Sequence, residues 1–211
     1  SLLELPPEAL PVVSRETLLA EYFPESAEKA ASYGQILATR AIEWGLIGPK
    51  EGDRIWDRHI ANCLPITKLI PEGASLIDIG SGAGLPGIVI ALARQALKVT
   101  LIEPLSRRFD FLNGVAAELG LDISIHRGKA EAEKGGFDIV TGRAVAPLSK
   151  FVEMTWHLVK PGGAILAMKG AAAEDEIKEL TAPKGMVSVQ LHTITLGELE
   201  PSRIVEVRKA G

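Results

Sequence analysis

Cysteine is almost missing from this chain: Cys63 is the single one in 211 residues. It can form neither an internal disulfide nor a cysteine-rich metal site, so a reducing, cytoplasmic compartment suits it, and a small buried thiol is the expected state. Aromatic residues are also few, three Trp, two Tyr and five Phe, which argues against a broad platform for stacking bases. No apolar run approaches the roughly 18 residues that a membrane span needs, so no membrane association is expected. The opening SLLELPPEAL lacks a basic segment followed by an apolar one, and nothing in it marks a secretory signal. Residues 1 to about 12 read as a loosely held arm. Positive charge is not in excess either: a formal net charge of −4 argues against non-specific coating of nucleic acid, which rests on many phosphate contacts, but it leaves room for a local basic face.

What is present is a helical first third followed by alternating strand and helix. From Ser26, the segment SAEKAASYGQILATRAIEW puts Ala27, Ala30, Gly34, Leu37, Ala41 and Trp44 three or four apart, one apolar helix face with Ser26 as cap and Gly45 as stop. DRIWDRHIANCL, roughly 53–64, reads as a second helix that ends before Pro65. The period then changes. Short β-branched apolar runs at 75–80, 98–103, 122–126, 137–141 and 164–169 suit strands covered on both faces. Helical stretches near 86–95, 106–119 and 147–159 separate them, a βαβ series. MVSVQLHTITL and SRIVEVRK, joined by the turn-like GELEP, should pair antiparallel. The expected architecture is α/β: a doubly wound, mostly parallel, seven-stranded sheet. Residues 1–70 form an N-terminal helical extension to one compact unit over 71–211.

After the first buried strand, LIDIGSGAGLPG strips the backbone of side chains. Gly80, Gly82 and Gly84 let it turn sharply and approach a ligand, and Pro86 has the fixed φ of a first helical turn. A nucleotide-like ligand at the carboxyl end of the sheet is the natural occupant. Gly82-Ala-Gly84-Leu-Pro-Gly87 also satisfies G-x-G-x-x-G, with Glu103 21 residues after Gly82, as a dinucleotide fold requires. Spacing alone leaves both ligands open. With either, Glu103 is placed to accept hydrogen bonds from ribose hydroxyls.

Asp78, two positions before the first glycine, completes a D-I-G-S-G-A-G word that resembles motif I of class I S-adenosylmethionine-dependent methyltransferases. LVKPGGAILAMK (158–169) is similar to their helix, Pro-Gly-Gly turn and fifth strand. Beyond that, DRHIANC, IGSGAGLPG, IEPLSRRFDFL, GRAVAPL and MKG resemble the small-subunit rRNA methyltransferase G family, also called GidB, over about Asp53 to Arg208. That family transfers a methyl group to N7 of a guanine in 16S rRNA. The resemblance implies S-adenosyl-L-methionine as cofactor, with Asp78 and Ser81 in its motif I. Gly80, Gly82, Gly84 and Leu85 would border the methionine part, and Glu103, where relatives often have Asp, the ribose. Ala130 and Glu131 would border the adenine, and Arg143 would line the pocket after the fourth strand.

N7 of guanine carries an in-plane lone pair and no proton, so its methylation needs no general acid or base. Holding the reacting atoms in line about 3 to 3.5 Å apart supplies on the order of 7 to 11 kcal/mol. Arg143 and Lys169 are the expected positioning residues. RNA recognition falls to basic groups around the mouth: Arg54, Arg58 and His59, Arg107 and Arg108, and Lys129, Lys169 and Arg203. Arg107, Lys129, Arg143, Lys169 and Arg203 fall where the resembled family has basic residues that meet RNA or substrate. His126, His157 and His192 share no metal-ligand spacing, so no metal is expected, and Trp56 is assigned to core packing. The small ribosomal subunit is the expected partner of a monomeric chain. A small-molecule methyltransferase of the same fold and an NAD-binding oxidoreductase remain as alternatives.

Overall fold

The computed structural model describes residues 14–143 and 145–211; the arm expected over residues 1 to about 12 lies outside the described residues. The chain enters through α1 (Arg15–Tyr22), α2 (Ala27–Ala38) and α3 (Arg40–Glu43). One helix was expected from Ser26 to Gly45. It breaks at Thr39 (φ −121°, ψ −81°), whose hydroxyl donates back to the Gln35 carbonyl at 2.8 Å, a local bond that competes with the helix. Ser26 does not cap α2 with its side chain; its hydroxyl donates instead to Leu92 O at 2.6 Å.

The helix expected over 53–64 is also different. It is a succession of tight and wide turns: 3₁₀ at Gly52–Arg54, π at Ile55–Ile60, 3₁₀ at Ala61–Cys63 and again at Pro65–Leu69. Ile55 and Ile60, five apart, are both 2% exposed. An ordinary α-turn would splay them, whereas a π-turn, closing i to i+5, brings them to one side. Trp56 packs on Gly34 of α2, where an added Cβ would stand 2.7 Å from its indole nitrogen.

The apolar runs form β1 (Ser75–Ile79), β2 (Lys98–Glu103), β3 (Ser124–Arg127), β4 (Phe137–Arg143), β5 (Val159–Lys169), β6 (Met186–Ile194) and β7 (Ser202–Lys209). They make one seven-stranded sheet in the order β3-β2-β1-β4-β5-β7-β6. The first five run parallel, and β7 is antiparallel to both of its neighbours. This is the expected doubly wound topology. Three differences have local causes. β3 is an edge strand and largely exposed, not covered on both faces: it pairs on one side only, and the helix that packs against it is the α5 crossover (Ser106–Leu119). β5 begins at Val159 and absorbs the Pro-Gly-Gly segment through an irregularity in its pairing between Phe137 and Ile139. Pro86 is the N-cap residue rather than the first helical one, and its peptide bond to Leu85 is cis.

Helices α4 (Gly87–Ala93), α5 (Ser106–Leu119) and α6 (Leu148–Thr155) make the crossovers, and α7 (Ala173–Lys178), too short to show a period, precedes β6. Side chains leave the sheet alternately, as strand geometry requires. Leu76 joins Leu18, Tyr33, Leu37, Val99 and Leu101 on one face; Ile77 and Ile79 join Val140, Phe151 and Val152 on the other. The N-terminal helices therefore share one apolar cluster with the sheet, and α2 touches α4 and α5.

The strand order reverses where β1 lies between β2 and β4. Ligands of open α/β sheets bind outside the strand carboxyl ends at such a point. Gly87, first residue of α4, is so tightly enclosed that a Cβ would sit 2.6 Å from Asp78 Oδ2 and collide with Leu101. Helix propensity alone predicts that Gly87→Ala stabilises by up to about 1 kcal/mol. Overpacking predicts a loss of about 1–3 kcal/mol, and we expect the loss to win, read as a lower urea midpoint at unchanged m-value.

Candidate cofactor and RNA site

A cavity of about 360 Å³ opens at this reversal. Its floor is the β1–α4 turn, which three distant groups hold. Gly80 N–H donates to Ile102 O at 2.9 Å. Gly82 N–H donates to Glu103 Oε1 at 3.1 Å. Tyr33 of α2 donates its hydroxyl to Ala83 O at 2.7 Å. Gly82 has φ +59° and, toward its missing Cβ, nothing nearer than Gly80 O at 3.9 Å. That conformation favours glycine and leaves the backbone bare. At Gly84 the constraint is packing: a Cβ there would lie 2.5 Å from Ile88 and 2.8 Å from the Tyr33 hydroxyl.

Two carboxylates frame the turn. Glu103, at the end of β2 and 1% exposed, also accepts from Leu105 N–H through Oε2 at 2.9 Å, and Arg108 stands 4.0 Å from Oε1. Each oxygen retains a lone pair for a further donor. Asp78 lies fully buried beneath the turn. Its Oδ2 accepts from Gly87 N–H at 2.9 Å, while its Oδ1 has no partner. Burial drives this carboxyl up to about 7, against the Ser81 side chain, the Gly87 N–H and the Arg143 charge, which favour the anion.

Of the residues expected around the cofactor, Gly80, Ser81, Gly82, Leu85, Glu103 and Arg143 line the cavity. Gly84 is buried in the turn and Asp78 below it. Ala130 and Glu131 are not among the lining residues: Ala130 is buried in the second apolar cluster, and Glu131 is exposed. Leu46, Ile47, Pro104, Leu105 and Val145 also form walls. None of them has chemistry that a sequence singles out, although Leu105 and Val145 stand in two of the motif words and are large apolar side chains left 53% and 36% exposed. Arg108 lines the wall as well.

The basic candidates occupy one rim. Arg107 follows β2, Lys129 follows β3, Arg143 and Lys169 end β4 and β5, and Arg203 pairs with Lys169 across to β7. Lys129 is exposed, as are Arg54 and Arg58. Others are already engaged. Arg107 lies over the Trp44 ring, 5.1 Å from its centroid, and donates to Trp44 O at 3.1 Å. Lys169, with 8% of its side chain exposed, bonds Ala146 O at 2.6 Å and Glu176 at 3.2 Å. Glu176 also accepts from Leu148 N–H at 2.8 Å. This buckle holds the loop that carries Val145 and commits two of the three N–H donors of Lys169, leaving one on a side chain that is almost buried. Arg58 stands 3.4 Å from Glu51, and His59 lies between Glu51 and Arg143, 3.2 Å and 3.5 Å away.

Residues 26–203 match the model of the GidB family, rRNA small subunit methyltransferase G. The chain belongs to this family. It is 45% identical over 203 residues to the ribosomal RNA small subunit methyltransferase G of Corynebacterium glutamicum (strain R), covering 90% of each chain. It is 48% identical over 163 residues to that of Kineococcus radiotolerans, where the match spans 75% of this chain and 64% of the relative. An S-adenosylmethionine-dependent O-methyltransferase of Thermotoga maritima superposes with TM-score 0.51 at 17% identity, over 72% of this chain and 65% of that one, a likeness of fold. The GidB family sequence thus sits on a methyltransferase fold.

Because the folded state holds the Asp78 proton up to about pH 7 while the ordinary value is 3.8, stability falls as pH rises through that window. Asp78→Asn keeps an acceptor for Gly87 N–H and removes the buried charge. The ligand-free variant should melt above the wild type at pH 8, by about 2–4 °C per kcal/mol recovered, and the gap should close toward pH 4.

Proposed function

We propose that this chain transfers the methyl group of S-adenosylmethionine to N7 of a guanine in 16S rRNA of the small ribosomal subunit. The observation that carries this reading is a bare glycine turn under a cavity at the sheet's reversal point, bounded by Glu103 and Arg143, in a chain of the GidB family. The residues suit the donor. The cavity volume falls in the range of small-molecule sites, and Glu103 keeps acceptor capacity for ribose hydroxyls. Bound there, the sulfonium supplies an electrophilic methyl group.

The chain's own part is positioning. Gly80 and Gly82 give the donor a stretch of backbone without side-chain obstruction, and Leu46, Ile47 and Leu105 exclude water from its flanks. Arg143 presents a guanidinium on the acceptor side, suited to a phosphate or to the O6 edge of a guanine whose N7 must stay free. Lys129 and Arg203 extend the positive rim. The reading places the protein in the cytoplasm, where its one buried thiol stays reduced, and acting as a single chain. No described helix is long and apolar enough to cross a membrane.

The decisive experiment offers labelled donor with unmethylated small subunits, naked 16S rRNA and guanosine, and maps the product base. Label at N7 of a guanine in rRNA is expected; label in guanosine but not in rRNA would overturn the reading. With no general base in the scheme, kcat at saturating donor should be flat from pH 7 to 9. Glu103→Ala should weaken donor binding by about tenfold to a hundredfold, the scale of hydrogen bonds to a charged group, read by calorimetry; NADH should give no binding heat to either protein.

A further inference from the structure

His59 lies on the wide turn Ile55–Ile60 with 15% of its side chain exposed, too little for the free RNA contact expected of it. Its Nε2 is 3.2 Å from Glu51 Oε2, and its Nδ1 is 3.5 Å from Arg143 Nη1. Arginine has donors only, so the nitrogen it faces must accept. A neutral imidazole carries one hydrogen, which therefore sits on Nε2 and points at Glu51. The charged groups that face the ring are Glu51, Arg143 and, from its own turn, Arg58.

The geometry points to Glu51 and His59 as positioning residues for the methyl transfer: Glu51 fixes the tautomer of His59, and the ring's Nδ1 orients the Arg143 guanidinium at the cavity wall. This rests on the reading of Arg143 as the acceptor-side residue. Arg143 ends β4, and among the described residues the side-chain hydrogen bond of its guanidinium is the one to His59, while the loop beyond it is secured separately through Lys169 and Glu176. The segment before β1 thus does two things at the site. It walls the cavity with Leu46 and Ile47, and it aims the arginine opposite.

Protonation would end the arrangement, because Nδ1 would then carry a hydrogen and a share of positive charge against a guanidinium. Burial, with the Arg143 charge, holds His59 below its ordinary 6.5, although Glu51 pulls the other way. Neutral His59 is the working form, so transfer is retained above that lowered value and lost as pH falls through it.

Three measurements test this. Nitrogen-15 NMR of the ligand-free wild type at pH 7.5 should show the Nε2–H tautomer at His59. His59→Leu, which has no acceptor, should lose about tenfold or more in kcat with donor affinity unchanged. His59→Asn, whose amide oxygen can accept from Arg143, should recover most of that rate and lack the acid limb of the wild-type pH profile. An Nδ1–H tautomer, an acid limb that persists in His59→Asn, or an Asn variant that is folded, binds donor and is as slow as Leu would each overturn the proposal. If the wild type methylates no RNA, the functional reading fails, while the tautomer measurement still decides whether His59 is an acceptor for Arg143.

Discussion

The turn from β1 into α4 is bound from three directions, by the Glu103 carboxylate at Gly82, the Tyr33 hydroxyl at Ala83 and the Asp78 carboxylate at Gly87. Everything at the site is measured from it. The turn gives the cavity its floor, and the same bonds fix the end of β2, the start of α4 and the position of α2. A side chain at Gly84 or Gly87 would meet atoms already in contact range. The glycines are thus required by close packing as much as by conformation.

Holding a ligand-facing loop this tightly leaves a carboxyl without solvent. Asp78 is wholly buried, with one oxygen bonded and the other free. A buried polar atom without a partner destabilises the protein that contains it, and the same burial holds the Asp78 carboxyl up to about 7. The buckle of Lys169, Glu176 and the Leu148 N–H is the opposite case. There an ammonium is taken from the rim and used within the fold, which gives the loop after β4 a defined position.

The N-terminal helices are part of the same construction. Their apolar side chains enter the cluster on one face of the sheet, Tyr33 reaches the glycine turn, and the segment that follows them carries Leu46 and Ile47 to the cavity wall and His59, held by Glu51, to Arg143. The N-terminal segment and the sheet meet at the cavity, which both of them line.

The sheet and its glycine turn were legible in advance because they depend on local information. Continuous β-branched runs, crossovers of sufficient length and clustered glycines each act within a few residues, and together they specified five parallel strands, an antiparallel pair and a bare backbone at the first turn. The motif words carried the family. Legibility failed where a residue's partner is distant in the chain. Ser26 turns its hydroxyl to donate to Leu92 O, the Ile55–Ile60 segment takes a wide turn because both isoleucines face the same core, and Leu46 and Val145 are ordinary apolar residues until folding sets them around one cavity. The charged residues divide in the same way. Sequence could place Arg143, Lys169 and Arg203 at strand ends, but only the tertiary structure decided which charges remain free, since a hydrogen bond depends on distance in space and composition carries no such distance.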